Sequence, residues 1–263
     1  AAGLFGTYRG GEARLSTFTS SLDSDAFGIG GYFTSVIAGD LTGSLQFEYN
    51  RGHHDIVIGG ATGNFSTDDI AVQGEIKGRY QIPNRATRPI DFLNLAWYEP
   101  MAALSFTHVS RESYTTNTGV TVASGNLDRA RLTVGPRVGT TVLGDGENVN
   151  LIEPYFNLQG IWDFVNEGNF LVAAGTVVKT PDIGGLVGGG IEVSFMNNAA
   201  IKIESNYAFF EDDFDSWSIS GIASMPLAAL GILEEGSAGL VSLQFNALPA
   251  SSSAMLQVNL PFN

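Results

Sequence analysis

Three histidines are available for proton transfer or metal ligation, and there is no cysteine. His108-Val109-Ser110 is the first stretch whose residue types could do chemistry. On a strand, side chains two apart share a face. A histidine base would then stand beside a serine nucleophile, the minimum for acyl transfer. No third group to orient the imidazole stands out. His53-His54-Asp55 offers metal-ligating types, but adjacent strand residues point to opposite faces and cannot converge on an ion. The missing cysteine removes thiol chemistry, disulfides and Cys-based metal sites. Asp182, Glu211, Asp212, Asp213 and Asp215 read as a solvated acidic rim. The expectation is no catalytic residue, no cofactor and no metal site.

The other chemistry-bearing group is charged. Arg129, Arg131 and Arg137 share one parity, opposite Ala130, Leu132, Val134 and Val138. Glu75, Lys77 and Arg79 share a polar parity in a second stretch. Glu48, Glu153, Asp163, Glu192, Lys202 and Glu204 do so in others. Such groups can pair with one another inside a narrow space, or guide a segment and select solutes. Carboxylate partners are expected for the three arginines, Glu153 being the nearest in sequence and Glu75 and Glu192 lying further round.

The elements that must carry these residues are strands. From Leu127 to Phe210 four segments alternate apolar and polar with a period of two, the signature of strands with one apolar and one polar face. The same pattern gives strands near 3–10, 25–36, 42–50, 70–80, 97–111, 216–225, 238–248 and 256–262. That makes twelve. Residues 55–68 read as a Gly/Ser/Thr/Asp loop, 82–94 as irregular and 249–253 as a turn. Charges of both signs on nearly every polar face do not suit a soluble core. They suit an all-β, transmembrane, antiparallel up-and-down barrel, apolar toward lipid and polar toward the lumen, with about 9–11 residues per crossing.

Composition agrees. Among 263 residues 44% are hydrophobic and 15% charged, below the quarter usual in soluble domains. There is no run of about 18 apolar residues, so crossing by a helix is excluded. The net charge of −14 argues against nucleic-acid binding, which needs a basic patch. One barrel domain over 1–263 is the expected organisation. Aromatics near strand ends, Trp97, Tyr98, Trp162, Phe164, Phe209, Trp217 and Phe262 with Tyr8, Tyr80, Phe195 and Phe210, would form interfacial girdles. Short turns alternating with long loops should distinguish the two rims.

Leu151-Ile152-Glu153-Pro154-Tyr155-Phe156 with Trp162-Asp163-Phe164 resembles the autotransporter β-domain, the translocator of type V secretion. So do Glu99-Pro100 with Phe106-Thr107-His108-Val109 and Tyr114, the stretch from Arg131 to Gly139, and Gly188-Gly189-Gly190-Ile191-Glu192. The likeness runs over roughly residues 25–227. It implies a twelve-stranded barrel in the Gram-negative outer membrane whose lumen carries an N-terminal helix while a passenger is exported. Its implied partners are outer-membrane lipid, the barrel-assembly machinery and the protein's own passenger. Two departures stand out: Asn263 follows the terminal aromatic, and no passenger or helix precedes the barrel, so a trimmed product is expected. The alternatives are a porin-like stand-alone channel and a lipid hydrolase using His108 and Ser110.

Overall fold

The computed structural model describes residues 2–15, 20–82, 95–168, 171–172, 176–177, 183–210, 215–231, 239–248 and 251–262. Twelve long strands build the wall. They are β1 (Ala2–Leu15), β2 (Ser20–Ala38), β3 (Leu41–Ile58), β4 (Ala61–Gly78), β5 (Ala96–Arg111) and β6 (Gly125–Thr140). There follow β7 (Val149–Gly168), β8 (Ile183–Phe195), β9 (Ala200–Phe210), β10 (Asp215–Pro226), β11 (Leu240–Leu248) and β12 (Ser251–Phe262). Each pairs antiparallel with the next. β12 then pairs with β1, from Ala2 opposite Phe262 to Ala13 opposite Ser251. The sheet closes on itself, which leaves no open edge to strand backbone groups in lipid.

With an even number of strands both chain ends lie at one rim, called here the terminal rim; the other is the distal rim. Tight turns need left-handed backbone, and glycine supplies it where β2 meets β3 (Gly39, φ 54°) and where β3 meets β4 (Gly59 and Gly60, φ 56° and 90°). Turn length does not tell the rims apart. The distal rim holds the two-residue Gly59-Gly60 turn, and the terminal rim holds the longer connection from 141 to 148.

The outer face is apolar along the middle of the strands: Ile29 and Phe33 on β2, Leu45 and Phe47 on β3, Val72 and Ile76 on β4, Leu104 and Phe106 on β5 are all exposed. In water this would be untenable; against hydrocarbon it is the stable arrangement. Toward the distal rim the polarity inverts. Beyond Tyr49 the outward residues of β3 are Arg51, His53 and Asp55, while inward-facing His54 stacks on Phe65 at 4.8 Å.

This inversion explains a correction. Residues 55–68 are not a loop: β3 and β4 continue in register, His54 opposite Phe65 and Asp55 opposite Asn64. Above the membrane the outer face meets water, so the membrane rule no longer gives a strand signal there. The tongue so formed has its β4 edge covered by the segment after β5. Glu112 N donates to Ser66 O at 3.1 Å and Asn117 N to Thr62 O at 2.9 Å, while Tyr114 stacks on Phe65 at 5.1 Å. Likewise β1 runs on to Leu15, β2 begins at Ser20 and β12 at Ser251.

Candidate functional site

The inner wall collects nearly every charged residue singled out above, and strand register decides the pairs. Arg131 on β6 lies opposite Asp163 on β7 and grips it with two bonds, Nε to Oδ1 at 2.6 Å and Nη2 to Oδ2 at 2.8 Å. Arg137 lies opposite Glu99 on β5 and donates to it at 3.2 Å, its guanidinium 4.6 Å over the Tyr155 ring. Glu204 accepts the Tyr155 hydroxyl at 2.5 Å and Asn206 Nδ2 at 2.7 Å, and pairs with Lys202 at 2.9 Å. Lys77 pairs with Glu75 at 2.8 Å along its own strand. Glu192 lies across from Lys202 in register. Arg129 has no hydrogen bond or ion pair among the described residues; Thr107 and Asn166 are its register neighbours.

The partner expected for the arginine row is corrected. Glu153 is taken by Arg79, with Thr141 Oγ1 also donating to it at 2.6 Å. The carboxylates that serve Arg131 and Arg137 are the residues directly opposite them, Asp163 and Glu99. Sequence reading did not single out Arg9, which pairs with Glu48 at 2.6 Å while Thr7 donates to the same carboxylate at 3.0 Å. Arg9 shares inner parity with Phe5 and Thr7, a signal that a weak first strand hides.

Glycines make several of these contacts possible. Thr7 on β1 reaches Asn50 on β3 at 3.0 Å by passing over Gly28 of β2. A Cβ on Gly28 would stand 2.5 Å from Thr7 Oγ1. Tyr155 on β7 reaches Glu204 on β9 over Gly190 of β8, where a Cβ would stand 2.6 Å from the tyrosine oxygen. Inner positions of β10 and β11 carry no charge: Ser220, Ile222 and Ser224 face in opposite Asn246, Gln244 and Ser242, with Ser218 on the same face. The lumen therefore has an ion-paired wall and a hydroxyl-amide wall.

The aromatics divide. Tyr98, Trp162, Phe164, Phe209 and Trp217 are outward and exposed. Near the distal boundary Tyr8 donates to Asp25 at 2.7 Å and Tyr49 to Asp68 at 2.5 Å, tying ring to carboxylate where hydrocarbon gives way to water. Trp97 is a correction: it is 2% exposed, on the inner face, with Arg79 stacked 4.1 Å over its ring. Gly139 on β6 leaves the room, for a Cβ there would meet the indole. Phe210 likewise faces inward, packed against Gly184. The side chain of Phe262 lies outside the described residues. So do Asp182, Glu211, Asp212 and Asp213, and the side chain of Asp215.

His108 and Ser110 sit on the outer face at the distal boundary. His108 Nδ1 is 2.6 Å from Asp128 Oδ1, the orienting group the sequence did not reveal. Ser110 Oγ, however, donates to the Asp68 carbonyl at 3.4 Å. His53 and His54 point to opposite faces, His54 bonding Ser24 at 2.8 Å and Thr67 at 2.9 Å.

A closed twelve-stranded barrel with an apolar belt and an ion-paired interior is a transmembrane barrel of the outer-membrane class. The family model for the autotransporter beta-domain matches residues 1–206, and the chain belongs to that family. The match starts earlier than the sequence resemblance, and it also ends earlier. Similar solved structures include the transport unit of the autotransporter AIDA-I from Escherichia coli, at 12% identity and TM-score 0.62, covering 100% of this chain and 90% of that one. The translocator domain of the autotransporter NalP from Neisseria meningitidis is 13% identical with TM-score 0.56, covering 99% and 88%. An outer-membrane channel from Pseudomonas putida F1 is 12% identical with TM-score 0.56, covering 100% and 96%. No curated protein matches the chain. The protein is an autotransporter translocator barrel of the Gram-negative outer membrane.

Proposed function

We propose that the ion-paired wall of β4 to β9 is the surface along which a passenger-bearing N-terminal segment of the same protein is carried outward. The observation that carries this is neutralisation. Arg131, Arg137, Arg79 and Lys202 each face a carboxylate within the wall. A polypeptide of mixed sequence then meets no strong field of one sign, and polar groups remain to hydrate it. Outer-membrane lipid around the apolar belt and the barrel-assembly machinery complete the set of partners, the second supported by family membership.

Transport of this kind needs no catalytic step. The orientation of Ser110 toward the Asp68 carbonyl supports a barrel without one. The test is an epitope placed ahead of Ala2 in the full-length protein, expressed in a Gram-negative cell. Cleavage of the epitope by protease added to intact cells is the expected result. A barrel that inserts while its epitope stays protected would favour a stand-alone channel instead.

A further inference from the structure

A furrow crosses the lipid-facing wall in the half of the barrel nearer the terminal rim. Gly74 on β4 and Ala102 on β5 form its floor; Phe33, Leu45, Ile76 and Leu104 stand along its sides. Gly74 is unlike the inner glycines. At Gly28 or Gly190 the missing side chain makes room for a neighbour's side chain, whereas a Cβ on Gly74 would have nothing within 4 Å. Glycine inside a strand costs stability relative to alanine, and here no atom of the described residues uses the space gained. Below the furrow Tyr80, just past the end of β4, stacks on Tyr98 of β5 at 5.3 Å, with Tyr98 exposed. Tyrosines at a strand end sit at headgroup level.

The dimensions fit one leaflet. From Tyr98 to Leu104 is six residues, roughly 20 Å along the strand at about 3.3 Å each. A tilt near 40° reduces that to about 15 Å of depth, half of a hydrocarbon core of about 30 Å. The leaflet follows from topology. A chain that arrives from the periplasm crosses the membrane by its hairpins, so the rim holding both chain ends stays periplasmic. That leaflet is phospholipid.

We propose that this furrow is a binding site for one phospholipid, an acyl chain lying over Gly74 and Ala102 and the glycerol-ester region against Tyr80 and Tyr98. An ordinary annular chain would leave the floor unfilled, forfeiting dispersion contacts on that side.

The test is native mass spectrometry of the delipidated, detergent-solubilised barrel titrated with dipalmitoyl phosphatidylethanolamine. One lipid per barrel should be retained. Gly74→Leu and Ala102→Leu, each filling the floor, should weaken retention about tenfold. Ala223→Leu, on the lipid face of β10, should leave it within about twofold. Only variants that keep the boiling-dependent gel shift of a folded barrel are scored, and either furrow variant suffices. Unchanged retention in the folded furrow variants, or an equal loss in Ala223→Leu, overturns the site. Stronger retention of lipid A than of phosphatidylethanolamine overturns the leaflet.

Discussion

Asp163 on β7 is 2% exposed and is held by Arg131 on β6 through two parallel bonds of 2.6 and 2.8 Å. Removing one partner of such a pair strands a buried charge, which typically costs about 3–5 kcal/mol, whereas neutralising both strands none. Arg131→Gln should therefore destabilise the barrel by about that amount, and Arg131→Gln with Asp163→Asn by distinctly less. Urea unfolding in liposomes reads the difference. A double variant as unstable as the single one would show that the two residues do not depend on each other.

Two glycines on opposite faces should respond in opposite directions. Gly190→Ala forces a methyl within 2.6 Å of the Tyr155 hydroxyl oxygen and should cost about 1–3 kcal/mol, the usual penalty of overpacking. Gly74→Ala meets open space and should gain about 0.5–1 kcal/mol. The same unfolding experiment compares them; a stabilising Gly190→Ala would sink the bridging role given to Gly190.

Ile203 and Glu204 are neighbours on β9 facing opposite ways. Ile203 is outward and 48% exposed, while Glu204 is tied to Tyr155, Asn206 and Lys202. Ile203→Arg should cost about 2–4 kcal/mol if it lies at the bilayer midplane. Glu204→Gln keeps one acceptor oxygen, loses the charge that pairs with Lys202, and should cost less, about 1–2 kcal/mol. Folding yields into liposomes measure both, and equal losses would mean the faces are misassigned.

The turn between β6 and β7 carries a pH-dependent clasp. Asp145 Oδ1 accepts the amides of Glu147, Asn148 and Val149 at 3.0, 2.9 and 3.0 Å. Those backbone bonds hold its carboxyl below the usual carboxylate value. A depressed folded-state pKa means a contribution fully present above the unfolded value and lost as pH falls through the folded one. Protection of the Glu147 to Val149 amides against hydrogen exchange should thus hold at neutral pH and fall on acidification. Asp145→Ala should lack it at every pH. Protection that survives in Asp145→Ala would show the turn is held by other means.

Much of this architecture is legible in the amino-acid sequence because parity is local. A strand alternates its side chains with a period of two whatever surrounds it. Residues 127–142 therefore announce Arg129, Arg131 and Arg137 on one face and Leu132, Val134 and Val138 on the other. Twelve such segments without an apolar helix leave a membrane barrel as the consistent fold. The choice of partners is not local. Which carboxylate meets Arg131 depends on how β6 is slid against β7, and register puts Asp163 there while Arg79 takes Glu153.

Trp97 shows the same limit. Its aromatic type suggests a girdle, yet a side-chain-free Gly139 on the adjacent strand opens the inward space the indole fills. Asp128 beside His108 is another product of strand pairing. Residues 55–68 lost their strand signal for a different reason: above the membrane the outer face meets water, so the polarity rule that marks a strand in lipid is reversed. Alternation, a property of the chain, fixes the faces; register, closure and the level of the membrane belong to the assembled wall, and they decide which residues meet.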